Sequence, residues 1–182
     1  MPASSAMLRP RELGFALTLR HGGRSLRQAI VLGLVFGLWM AIADTWLFSG
    51  VVPRGQHVML ASMSALARIA WHTRVALFDE ALYRLVLLTS LAWLIARYTG
   101  WRDGRAVWPA ILLVALALYP LGRLDYFAAL DWSWSTVVRE LLLHGGAGVL
   151  WGWLYWRHGW LAGVAGNVAA QLSLQPLLSA WS

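Results

Sequence analysis

Between Ala29 and Phe48 the chain runs for 20 residues with a single charged side chain, Asp44. About 20 predominantly apolar residues in helical conformation cross the roughly 30 Å of a bilayer's hydrocarbon core, whereas a signal-peptide core is shorter, at roughly 7–15 residues. The run therefore predicts a permanent first span. Further apolar runs follow at about 81–96, 107–121, 137–157 and 160–178. The stretch at 58–77 is interrupted by Arg68, His72 and Arg74. Arg68 and His72 are four apart and share one helix face, as in a helix lying in the interface or against its neighbours, with a tilted span as the alternative. The expected fold class is all-α: a polytopic membrane helical bundle of five to six transmembrane helices. Residues 1–27 form a basic tail and 28–182 the membrane helical domain.

Composition excludes the main rivals. With 59% hydrophobic and 13% charged residues, the chain is too apolar for a soluble domain of 182 residues or for a disordered one. The net charge of +7 rests on Arg alone, and base-reading elements are absent, so membrane lipids are the expected partner of the basic groups and nucleic acid is not. Cysteine is absent, which removes disulfides and thiolate metal sites.

Arg9, Arg11, Arg20, Arg24 and Arg27 precede the first span. The positive-inside rule places this tail in the cytoplasm of what is read as a bacterial inner membrane. If 58–77 does not cross, Arg97, Arg102, Arg105 and Arg157 join the same side. Alternation of spans then puts Asp79, Glu80, Tyr119, Glu140 and His144 near one membrane face. The 13 Trp are expected at interface belts and in packing. Gly145, Gly146, Gly148 and Gly152, then Gly159, Gly163 and Gly166, read as close-packing faces. The run His21, Gly22, Gly23, Arg24 lacks a strand and a Walker lysine, so headgroup contact is expected of it.

The residues that bear chemistry centre on Asp79, Glu80, Ala81, Leu82, Tyr83 and Arg84 at the mouth of a hydrophobic helix, because ionisable groups bordering a span are costly and usually functional. Glu80 and Arg84, spaced i,i+4, are expected to pair, leaving Asp79 about 100° round the helix and pointing into the bundle. The alternative is a helix N-terminus with acids set against its dipole. Glu140 and His144 also have i,i+4 spacing. A divalent metal would find them as ligands, with Glu80 or Asp79 as a third, but a metal is not expected and no cofactor is assigned. The alternative for His144 is a packed histidine closing a polar patch with Arg139 and Glu140.

The acid-acid-x-x-x-Arg run resembles the first motif of the CAAX prenyl protease 2 and lysostaphin-resistance-protein-like family of glutamic-type intramembrane proteases, a group also linked to bacteriocin self-immunity. The stretch GWLYWRHGWLAGVAGN at 152–167 resembles the same family's region round its basic turn. The likeness covers roughly residues 75–175. Three positions depart: Asp79 replaces the usual first Glu, Tyr119 stands where the second motif has His, and Asn167 where the third has His, with Gln171 four residues on.

The resemblance implies an endopeptidase in which a carboxylate and a histidine activate water against a membrane-embedded or membrane-tethered peptide. Carried onto this chain, Asp79 or Glu80 is the base and His144 the imidazole. Arg84 fixes a carboxylate, Asn167 and Gln171 donate hydrogen bonds, and Tyr119 and Glu140 support. The rival expectations are a catalytically degenerate descendant that binds or scaffolds a membrane partner, and a small transporter subunit.

Overall fold

The structure is a computed structural model that describes residues 10–101 and 104–181. Arg9 and Arg102 lie outside the described residues, as does the side chain of Arg11. Among the described residues there is no strand. Ten α-helices follow in order: α1 (Gly23–Ile42), α2 (Arg54–Ser62), α3 (Ala65–Asp79), α4 (Thr89–Thr99), α5 (Gly104–Leu113), α6 (Tyr119–Leu121), α7 (Leu124–Ala128), α8 (Trp134–Glu140), α9 (Gly146–His158) and α10 (Trp160–Trp181).

Four wide, π-helical stretches lengthen these helices without breaking them: Ala43–Leu47, Glu80–Leu88, Val114–Leu118 and Leu141–Gly145. Five long rods result, at 23–47, 65–99, 104–121, 134–158 and 160–181. The rod at 65–99 corrects the expected boundary at Asp79. No Gly or Pro interrupts 64–99, and Ser64 caps its start by accepting from Ala67 N–H, so the amphipathic stretch and the next apolar run are one helix of about 50 Å. Asp79 and Glu80 therefore sit in mid-helix, where the dipole explanation does not apply.

Two rods, Gly23–Leu47 and Gly104–Leu121, are long and apolar enough to cross a membrane. The last rod has 22 residues, but Asn167, Gln171 and Gln175 dilute its hydropathy.

The last helix, α10, organises the packing. It lies parallel to α1, with Gly33 against Gly166 and Ala169, and Gly37 against Ala170 and Ser173. A Cβ at Gly33 or Gly37 would overlap the carbonyl oxygen of Gly166 or Ala170, so glycine is what lets the two backbones meet. The same helix lies antiparallel to 65–99, since Arg68 bonds Gln175 while Glu80 lies against Gly163. The 104–121 and 134–158 rods are antiparallel too: Gly148 meets Ala115, and Gly152 meets Ile111. The five rods thus alternate in direction along the chain.

Polarity is distributed inside out. Val31, Val35, Leu38, Leu112, Leu116, Leu142 and Leu172 are exposed, whereas Asp44, Arg68, Asp79, Glu80, Arg84, Arg139 and Glu140 are buried. A soluble domain rarely buries an unpaired Arg or Glu, and rarely leaves so wide an apolar exterior uncovered. Aromatic rings gather at both ends of the rods. Trp46 stacks on Trp181 at one end, and Trp108 meets Trp156 edge-on at the other.

The 157–159 turn is tied to the N-terminal segment. Arg20 N–H donates to His158 O (3.0 Å) and Trp160 N–H to Ala16 O (2.8 Å). Gly159 has φ +99 and faces the Thr18 carbonyl so closely that a side chain there is strained by backbone and by space alike. His158 Nδ1 lies 3.1 Å from Ser25 Oγ. Burial, with help from His21, Arg157 and Arg20, pushes the His158 imidazole below its ordinary 6.5. The unfolded chain then binds this proton more readily than the folded one, so the contribution to stability is complete above pH 6.5 and is lost as pH falls through that value and below it. In detergent, thermal unfolding scanned from pH 7.5 to 5 is expected to show an acid-side decline that His158→Gln makes shallower; an unchanged profile would refute this.

Candidate functional site

The buried charges collect into three clusters. In the first, Glu80 is fully buried in the wide stretch 80–88. Its Oε1 accepts from Asn167 Nδ2 of α10 (3.2 Å) and lies 3.8 Å from Arg84 Nε. Trp160 Nε1 donates to the Glu80 carbonyl (3.1 Å). Gly163 makes this possible, because a Cβ there would come within 2.9 Å of Glu80 Oε2. That oxygen has no hydrogen-bond partner, nor have Arg84 Nε and Nη1.

Asp79 turns the other way. Its Oδ2 accepts from Arg123 Nη2 at 2.6 Å, and the Arg123 guanidinium lies over the Tyr119 ring, 5.6 Å from its centroid. Tyr119 in turn meets Tyr83 edge-on at 5.1 Å. Asp79 does not point into the bundle as expected but faces the 122–128 connection; Glu80, beside Arg84 as its spacing predicts, is the one that points inward, where glycine on α10 leaves room for it.

The second cluster joins the end of α1 to α8. Arg139 donates from Nε to Asp44 Oδ1 (2.8 Å) and from Nη2 to Asp44 Oδ2 (2.9 Å), a bidentate pair, and from Nη1 to Glu140 Oε1 (2.5 Å). Gln56 of α2 donates to Asp44 Oδ2 (2.9 Å) and accepts from Arg139 Nη2 (3.2 Å). Tyr126 donates to Glu140 Oε1 (3.1 Å) and stands edge-on to His144. His144 Nδ1 lies 2.6 Å from Glu140 Oε2. Burial, reinforced by the Glu140 charge, pushes the Tyr126 phenol well above its usual range, so in this setting it stays protonated and donates.

The third cluster holds Arg68, whose helix is expected from sequence in the interface or against its neighbours and which is buried against α10. It donates from Nε to Gln175 Oε1 (2.8 Å), from Nη1 to Met63 O (2.5 Å) and from Nη2 to Ser179 Oγ. Gln175 Nε2 donates to Gln171 Oε1 (3.0 Å). Asn167, Gln171, Gln175 and Ser179, each four apart, therefore form one polar stripe of α10, but only Asn167 reaches Glu80.

The residues singled out in the sequence thus part company. Glu80, Arg84 and Asn167 meet. Asp79 and Tyr119 form a neighbouring pair through Arg123, Glu140 and His144 belong to the Asp44–Arg139 network, and Gln171 belongs with Arg68. No hydrogen bond or ion pair among the described residues links His144 to Glu80 or Asp79. No group of three or more acids and histidines among them is placed to hold a metal ion, the combination of Glu80, Glu140 and His144 included. No protein-family model, curated protein or solved structure matches the chain.

Sequence reasoning missed Asp44 with Arg139, Gln56 and Tyr126, and Arg123 as the partner of Asp79. A signal was there for the first pair. Two charges of opposite sign, each in an apolar run, become expected partners once alternation brings the end of the first run and the start of the fourth to the same side.

Proposed function

We propose that the chain is a polytopic membrane protein of five spans, with its N-terminus cytoplasmic in a bacterial inner membrane, built like the CAAX-protease-like peptidases it resembles but acting as a scaffold for a membrane-embedded or membrane-tethered protein or peptide. Membrane placement is supported by the alternating rods, the inside-out polarity and the aromatic ends. Orientation is supported by charge: Arg20, Arg24, Arg27, Arg97, Arg105 and Arg157 belong to the end where the N-terminal segment packs.

The observation that carries the scaffold reading is the state of Glu80. A glutamic-type peptidase needs a carboxylate and an imidazole sharing one water within about 3 Å. Here the carboxylate is sealed between Arg84, Asn167 and Gly163, and His144, the imidazole the resemblance assigns, is tied to Glu140 elsewhere. These groups act as polar ties between helices. In lipid-facing surroundings such ties fix which helices pair, since apolar contact alone does not discriminate.

Hydrolysis is the second reading, supported by one feature: Glu80 Oε2 is a buried carboxylate oxygen with no partner, as a water-binding base would be. Proteolysis of membrane-tethered peptides by protein in nanodiscs separates the two. For a scaffold, wild type releases no product, and Glu80→Gln, which strands Arg84, lowers stability by about 1–3 kcal/mol. Cleavage that disappears in Glu80→Gln but survives in His144→Ala would establish a peptidase using Glu80 without that histidine, and would overturn the scaffold reading.

A further inference from the structure

An open groove of about 520 Å³ runs along the outer face between the 104–121 and 134–158 rods, lined by Trp108, Leu116, Leu141, Gly145, Val149 and Trp153. None of the charged residues of the three clusters lines it, although Leu141 and Gly145 follow Glu140 and His144 directly in the chain. From Leu141 to Trp153 it extends for about 18 Å along the rods. Its sides are apolar and its two tryptophans stand at one end.

Two arginines follow beyond those tryptophans, outside the lining itself. Arg105 is three residues before Trp108, and Arg157 four residues after Trp153, so each continues its helix's groove face by one turn. Both are exposed. The Arg157 guanidinium lies over Trp156, 5.2 Å from the ring centroid, and Trp156 is edge-on to Trp108. Neither Arg105 nor Arg157 makes an ion pair among the described residues. Arg20 approaches the same end through its backbone bond to His158. An apolar trough, then an aromatic step, then unpaired guanidinium groups matches the order of an acyl chain, a glycerol backbone and a phosphate.

We propose that this groove is a binding site for one anionic phospholipid, with an acyl chain along Val149 and Leu116 and the headgroup phosphate held by Arg105 and Arg157. The site rests on the membrane placement argued above but not on the scaffold or the peptidase reading. A zwitterionic lipid offers the same chain with its phosphate charge already balanced, so the two arginines select for net negative charge.

Reconstitution in nanodiscs of phosphatidylcholine with and without phosphatidylglycerol tests the assignment, using acyl-brominated lipids as quenchers of tryptophan fluorescence and mass spectrometry of the retained lipids. Wild type is expected to retain phosphatidylglycerol over phosphatidylcholine and to be quenched more by the brominated anionic lipid. Arg105→Gln with Arg157→Gln should reduce that preference on the order of tenfold. Leu116→Gln should remove the excess quenching without unfolding the protein, because Leu116 lines the groove and is exposed. Equal retention of the two lipids by wild type, or a preference that survives both variants, overturns the proposal. Failure of folded protein to enter nanodiscs overturns the membrane placement itself, while the scaffold reading is decided separately by the cleavage assay.

Discussion

Arg139→Leu is expected to be the most damaging substitution of a single charged residue, lowering stability by about 3–5 kcal/mol, because it leaves two buried carboxylates without their cation. Asp44 loses both arms of its bidentate pair, and Glu140 loses its shortest contact. What remains, Gln56 on Asp44 and Tyr126 with His144 on Glu140, offers at most one further positive charge. In a chain of this size the loss corresponds to a fall of roughly 10 °C in Tm, read by thermal unfolding in detergent. Adding Asp44→Asn and Glu140→Gln should restore part of it, since neutral amides are far cheaper to bury than bare carboxylates. No recovery in the triple variant would mean that Arg139 acts through its packing and not through its charge.

The second large effect concerns a backbone contact. Gly33→Ala with Gly37→Ala should push α1 off α10 and cost about 2–6 kcal/mol for the pair, at about 1–3 kcal/mol for each overpacked site. The obstacle at both positions is a carbonyl oxygen, which cannot rotate away as a flexible side chain can. Gly55→Ala is the control: it lies in α2 with nothing within 4 Å of its added Cβ, so it should be neutral or slightly stabilising. Unfolding of the double variant at the wild-type temperature would show that α1 is held by side chains and not by close backbone approach.

The positions of the rods were legible in the sequence because long apolar runs fix them. The turn at 157–159 and the first apolar run stand close to where they were expected. The misreading at 65–99 has a simple cause. Read from sequence, the charges mark where a span begins, yet Arg68 and Glu80 face α10, whose polar stripe from Asn167 to Ser179 is visible only as scattered amides until the antiparallel register is known. The pairing of Glu80 with Arg84 followed from i,i+4 spacing, and that of Glu80 with Asn167 agrees with the order of motifs. Long-range partners such as Arg139 for Asp44, or Arg123 for Asp79, depend on how the rods rotate. The four wide turns at 43–47, 80–88, 114–118 and 141–145 alter that rotation in ways a period of 3.6 does not foresee.

The buried ties also set a timetable for synthesis. Asp44 is made 95 residues before Arg139, Glu80 is made 87 residues before Asn167, and Arg68 is made 107 residues before Gln175. At roughly 5–20 residues per second, a ribosome leaves each early charge without its partner for about 5–20 s. During that interval the first helices cannot rest in lipid as finished units. They must linger beside the insertion machinery or at the bilayer edge until the fourth and fifth rods emerge. Each of these three late partners comes from the last quarter or so of the chain, so a product truncated before residue 134 would keep Arg84 beside Glu80 and Arg123 on Asp79 but would leave Asp44 without its cation and Arg68 without Gln175, which makes the far end of the polypeptide the checkpoint for assembly of the near end.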